Sequence, residues 1–290
     1  MIAFLAEPFL EFSFMRRALV GCLALSVGSA PIGVFLTLRR MSLMSDAMSH
    51  AILPGAAIGF LVAGLSVPAM TVGGLAAGVA VVLLSGLVTR TTLLKEDASL
   101  AAFYLVSLAL GVLLVSAKGS SLDLLHILFG TVLALDDAAL ILIGSVAAVT
   151  ALWLAFAYRP LVIECVDPLF LRLSGKASAL THLSFLAVVV LNLVAGFQAL
   201  GTLLAVGIML LPAVTARLWA RTLTGLLPAA VGIAACSSYA GLLLSYHGEL
   251  PSGPAIVLTA GAFYVVSILV GPQGGVLSRF RSRSRGTSAA

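Results

Sequence analysis

The sequence predicts an all-α polytopic membrane protein, a bundle of about 8–9 transmembrane helices, and three observations predict it. Hydrophobic residues fill 61% of the 290 positions and charged residues only 9%, against roughly 25% charged in soluble domains. Apolar runs of about 20 residues recur with short joins, each long enough to cross roughly 30 Å of hydrocarbon. The 16 Lys and Arg gather in alternate joins, as the positive-inside bias requires. In such a chain the placement of charge matters more than its +5 sum, which excludes nucleic acid as a partner.

Residues 1–15 read as an N-terminal amphipathic segment, 16–271 as one transmembrane domain and 272–290 as a basic, disordered tail near anionic lipid headgroups. Hydropathy places crossings at 18–38, 46–65, 69–89, 99–116, 138–158, 180–197, 201–218, 226–246 and 254–270. The first could pass for a cleaved signal peptide ending at Gly28-Ser29-Ala30. Pro31 at the would-be cleavage point and an apolar run continuing to Leu38 keep it as a span. Nine crossings put 13 Lys and Arg on one side and only Arg16, Arg17 and Lys118 on the other. The expected location is therefore the plasma (inner) membrane, with the C-terminus cytoplasmic; Arg16 and Arg17 oppose that bias locally. Cys22, Cys165 and Cys236 lack metal-ligand spacing and read as packing residues.

The chemistry concentrates at the start of the second span, Ser45-Asp46-Ala47-Met48-Ser49-His50-Ala51-Ile52-Leu53-Pro54-Gly55. Positions i and i+4 stack on one helix face, so Asp46 and His50 converge on one ligand. Ionisable groups inside a span are costly and mark pathways. A carboxylate with an imidazole suits Zn(II), Mn(II) or Fe(II) better than alkali ions. A helix cap would account for Asp46 but leave His50 unexplained. Pro54-Gly55 then breaks the helix, which is tolerated at membrane depth where backbone lines a cavity. Two side chains make an incomplete shell, which suits an ion that must leave.

The join 159–179 is the longest on the side with the positive excess. Within it Asp167-Pro168 starts and Gly175 ends a short helix with apolar Leu169, Phe170 and Leu171 beside Arg172 and Lys176. Gly175-Lys176 is no phosphate loop, because Phe170 and Ala177 stand where glycine and Ser or Thr are required. In the outer joins Asp123, His126, Asp136, Asp137, His247 and Glu249 read as solvated loop residues able to receive an ion. Asn192 and Gln198 suit interhelical hydrogen bonds, His182 the membrane interface, and Gly201, Ala205, Gly207 and Ala213 close packing.

The 45–55 stretch resembles the Gly-Asp-Ala-x-Ser-His-Ala-x-Leu-Pro-Gly motif of the metal-type permeases of ABC importers, with Ser45 in place of the first glycine. Leu128-Phe129-Gly130, the run from Gly207 to Arg217 and Leu250-Pro251-Ser252-Gly253-Pro254 resemble that family too. So does 164–176, which is similar to its coupling helix, with Leu171 where alanine is commoner. The resemblance implies a permease working as a pair, with a second copy or a paralogue. It also implies two cytoplasmic ATPase subunits and an extracytoplasmic metal-binding protein. ATP sits on the partner, no cofactor is resident, and the transported ion is a divalent metal. Asp46 and His50 become pathway ligands, and Glu164, Asp167, Phe170, Leu171 and Gly175 become coupling residues.

Other classes fit less well. An intramembrane hydrolase needs a metal motif or an oriented nucleophile, and Ser49 points about 100° away from His50. A proton-coupled secondary metal carrier could use Asp46 and His50 as a relay, yet 159–179 and the missing inverted repeat oppose it. A siderophore- or cobalamin-type ABC permease needs a wide cavity and no Asp/His pair.

Overall fold

The computed structural model describes residues 2–64, 66–93, 95–117, 132–167, 170, 177–273, 275 and 276. Leu171, Gly175, Asp123, His126, Leu128-Phe129-Gly130 and the tail beyond 276 lie outside the described residues. The described residues form α1 (Ile2–Glu11), α2 (Ser13–Leu38), α3 (Ser42–Ala51), α4 (Leu53–Ala63), α5 (Val67–Thr91) and α6 (Glu96–Ala117). A 3-10 turn (Val132–Ala134) precedes α7 (Asp137–Val166), α8 (Ala177–Leu200), α9 (Thr202–Ala216), α10 (Leu223–Gly248) and α11 (Ser252–Val270). Eight segments are long and apolar enough to cross a membrane, α3 and α4 together counting as one. The protein is an all-α, multi-pass membrane protein. The ninth expected crossing is the short apolar helix α9 of 15 residues, about 22 Å at 1.5 Å per residue.

Burial ranks the helices. In α2 and α8, 72% of the most apolar stretch is buried, whereas in α6 only 17% is. Those two helices join two apolar clusters. One gathers Cys22, Leu25 and Val34 of α2 with residues of α9, α10 and α11; the other gathers Ile32, Phe35 and Leu36 with Met44, Met48 and Ile52 of the 42–63 span and Phe185, Val189 and Leu193 of α8. Polar groups tie the same helices. Asn192 donates to Thr150 Oγ1 at 2.8 Å, and Ser29 donates to Asn192 Oδ1 at 3.3 Å, as expected of an interhelical amide. At the outer edge of the first cluster, Phe9 of α1 stacks on Tyr239 of α10 at 5.1 Å.

Helices α2 and α7 run parallel, because ion pairs join their matching ends. Arg17 Nη2 lies 2.9 Å from Asp137 Oδ1, and Arg39 Nη2 lies 2.8 Å from Glu164 Oε1. From Arg17 to Arg39 the rise is about 33 Å, close to the hydrocarbon thickness. The first pair also neutralises one of the two arginines that oppose the charge bias.

Three sequence expectations change. Helix α7 does not stop at Tyr158; it continues through Arg159 and Pro160 to Val166, into the expected join. Proline inside a membrane helix is tolerated when neighbouring groups satisfy the freed backbone. Helix α2 begins at Ser13 rather than at 18. Gly201 is a turn residue rather than a packing residue: its φ of 91° lies where side chains are rarely accommodated, and it reverses the chain between α8 and α9. Ala205 and Ala213 do pack closely, against Gly196 and Gly33.

Candidate metal pathway

Helix α3 is amphipathic for a specific reason. Met44, Ser45, Met48, Ser49 and Ala51 are buried, while Asp46 and His50 occupy the open side. The Asp46 side chain is 66% exposed and that of His50 27%. Ser45, where the related motif has glycine, is fully buried and donates its hydroxyl to the Ser42 carbonyl at 3.0 Å. It therefore leaves both candidate ligands untouched. Ser49 donates to the Asp46 carbonyl at 2.7 Å, so its hydroxyl serves the backbone.

His50 Nε2 stands 4.0 Å from Asp46 Oδ1. That gap is wide for a hydrogen bond, yet it falls within the roughly 4.2 Å spanned by two metal bonds of about 2.1 Å. His50 Nδ1 is buried without a hydrogen-bond partner among the described residues, and the ring lies 6.5 Å from that of Tyr104. Among the described residues no third His, Cys, Asp or Glu joins the two. The arrangement can offer a cation one carboxylate and one imidazole and leaves the remaining positions to water, backbone or another chain.

The helix break behind this pair is built by neighbours that sequence reasoning missed. Ser107 of α6 donates to the Ala51 carbonyl at 2.9 Å, where α3 gives way to α4. A Cβ on Gly111 would come 3.1 Å from the Pro54 nitrogen. Tyr104, Ser107 and Gly111 are spaced as one helix face, a signal available in the sequence. On the opposite side α4 and α5 meet backbone to backbone: a Cβ on Gly55 would overlap the Gly73 carbonyl, and the reverse holds too. Gly55 thus permits close approach as well as following Pro54.

The expected coupling residues separate. Glu164 is buried within the bundle and paired to Arg39, whereas Asp167 and Phe170 are exposed beyond the end of α7. Asp167 Oδ1 accepts the Phe170 backbone N–H at 2.9 Å, the contact made by a helix-capping carboxylate. His247 and Glu249 lie at the far end of α10, with Glu249 in the left-handed region. The cysteines are free, with Cys22 buried, Cys165 half-buried and Cys236 exposed.

A multi-pass helical bundle with an acid–imidazole pair beside a broken helix suits a membrane transport protein. Residues 11–271 match the family model of the ABC 3 transport family, and the chain belongs to that family. A manganese import system permease protein, ScaB of Streptococcus parasanguinis, is 32% identical over 263 residues, 91% of this chain and 92% of the relative. YfeD, a chelated iron transport system membrane protein of Yersinia pestis, is 29% identical over 93% of this chain and 89% of its own. The solved structure of PsaBC from Streptococcus pneumoniae in complex with Fab has a TM-score of 0.84 at 31% identity, covering 96% of this chain and 99% of that one. The resemblance to metal-type ABC permeases drawn from the 45–55 motif therefore holds.

Proposed function

We propose that this chain is the permease subunit of an ATP-driven importer of divalent transition-metal ions, with Mn2+ the leading cargo and Fe2+ and Zn2+ the alternatives. Relatives named for manganese and chelated iron support the cargo class, and carboxylate plus imidazole accepts all three ions. One observation carries the reading: Asp46 and His50 lie 4.0 Å apart on the open side of a helix whose other side is buried. Asp46 and His50 are the pathway ligands. A second permease copy or paralogue covers that side, and the ion passes between them by alternating access.

The Arg39 end of the bundle faces the cytoplasm. Leu38, Arg217, Arg221 and Gln273 line one cavity of about 400 Å³, which puts basic residues and the last described part of the chain at that end. The join 167–176 follows Glu164 there, so Asp167, Phe170, Leu171 and Gly175 meet a separate ATPase subunit. An extracytoplasmic metal-binding protein delivers the ion at the opposite end, near His247 and Glu249.

The test is Mn2+ uptake by vesicles containing the chain, its ATPase and its binding protein. Asp46→Ala and His50→Ala should each cut uptake about a hundredfold, at or beyond the top of the range for outer-shell partners of metal sites. Uptake at the wild-type rate by both variants would sink the ligand assignment. Competition by Fe2+ and Zn2+ ranks the cargo.

A further inference from the structure

We propose that Arg39, Glu164 and His182 form a transmission joint, a set of positioning residues that relays movement of the 167–176 segment to the helix carrying Asp46 and His50. The inference rests on the function proposed above and assigns Glu164 a role inside the bundle instead of on the ATPase-docking surface.

The joint brackets the segment. Glu164 sits two residues before the end of α7, and His182 lies in the second turn of α8, so one group borders each side of 167–176. Arg39 caps the end of α2. Its Nη2 donates to Glu164 Oε1 at 2.8 Å and also to His182 Nδ1, which itself lies 3.5 Å from that carboxylate oxygen. The guanidinium lies 4.9 Å over the Phe185 ring. Both borders of the segment thus converge on one side chain of α2.

That side chain is also the last fixed point before the metal helix. Arg40 follows with φ 59°, a left-handed value uncommon outside glycine, and the Met41 N–H bonds back to the Leu36 carbonyl at 2.9 Å. Helix α3 starts at Ser42, one turn before Asp46. With such a tight reversal, displacement of Arg39 displaces α3 as well.

Two features argue against a merely adhesive role. Burying an ion pair is a poor way to hold helices together, since apolar residues of similar volume do so equally well or better. The pair is also incompletely closed: Arg39 Nη1 and Glu164 Oε2 are buried without a hydrogen-bond partner among the described residues. A guanidinium and a carboxylate can make two parallel bonds. A joint held by one of them has a second, more fully bonded arrangement within reach, which is what an element with two states needs.

The experiment measures Mn2+ uptake and ATP hydrolysis in the same vesicles containing the full complex, together with Mn2+ binding to the complex without nucleotide. Glu164→Gln should hydrolyse ATP within about twofold of wild type and bind Mn2+ normally, yet move about tenfold less metal per ATP, the scale of an ordinary allosteric coupling. His182→Leu, at a more open site, should show the same split at about threefold. Where Glu164→Gln assembles poorly, His182→Leu and Arg39→Lys are scored by the same ratio. Unchanged metal moved per ATP, or uptake and hydrolysis falling together with the amount of folded complex, would overturn the joint and leave the transport function standing. A wild-type complex that hydrolyses ATP without moving metal would overturn the proposed function and the joint with it.

Discussion

Two acid–base pairs begin seven residues apart in this chain and end in opposite conditions. Arg39 is closed on Glu164 at 2.8 Å, with both side chains more than nine-tenths buried, whereas Asp46 and His50 stand 4.0 Å apart at an open surface. Burial explains the first distance. A charge taken out of water is tolerable only against a close partner. Where water still reaches a pair, nothing forces it shut, and a third body can enter. A buried charge needs a partner at bonding distance, and an open gap leaves room for one more body.

The largest effect on stability should come from breaking the closed pair outright. Glu164→Ala leaves the Arg39 guanidinium buried without its counter-charge and should lower unfolding stability in detergent by about 3–5 kcal/mol. A loss below about 1 kcal/mol would mean that water reaches Arg39 and would erase the contrast with Asp46.

Next in size is a change that loads no charge. Gly73→Val places a branched side chain against the Gly55 carbonyl, where even a Cβ overlaps. Overpacking should cost about 1–3 kcal/mol, or more because backbone must move. If the span carrying Asp46 and His50 is positioned by this contact, Mn2+ binding should weaken alongside stability. Binding at wild-type strength in a folded variant would show that α5 only supports α4.

A smaller effect tests burial alone. Arg17 and Asp137 pair across the same two helices as Arg39 and Glu164, but their side chains are 46% and 75% exposed. Asp137→Ala should therefore cost less than about 1 kcal/mol, the ordinary worth of an exposed pair. A loss equal to that of Glu164→Ala would show that helix register, and not burial, sets the value of both pairs.

How much of this was legible in the sequence depends on the range over which each feature is determined. Asp46 and His50 are one helical turn apart, so a local motif exposed them. Hydropathy likewise exposed the spans, because each is a property of about 20 consecutive residues. The run of α7 through Pro160 was hidden, since proline ordinarily ends a helix and only membrane packing rescues it. Glu164 reads as a coupling residue through the resemblance of 164–176 to the family's coupling helix, and the structure buries it against Arg39. Its partner lies 125 residues away, and no local pattern encodes that meeting. The Gly55 and Gly73 contact is equally non-local, though Gly55 and Gly59 already carry the small-residue spacing of a close helix contact.

The smallest expected effect is the most discriminating. Asp46→Ala removes a carboxylate that is mostly exposed and 4.0 Å from its neighbour, on a helix already packed by Met44 and Met48. Its stability change should lie within about 0.5 kcal/mol of zero, the range of surface substitutions that touch no special feature. If Asp46 were instead a structural partner of His50, removing it would cost stability beyond that range. Unfolding of Asp46→Ala and the wild type in metal-free buffer separates the two. Equal stabilities are expected, since a carboxylate at an open surface 4.0 Å from its neighbour makes no bond for the fold to lose.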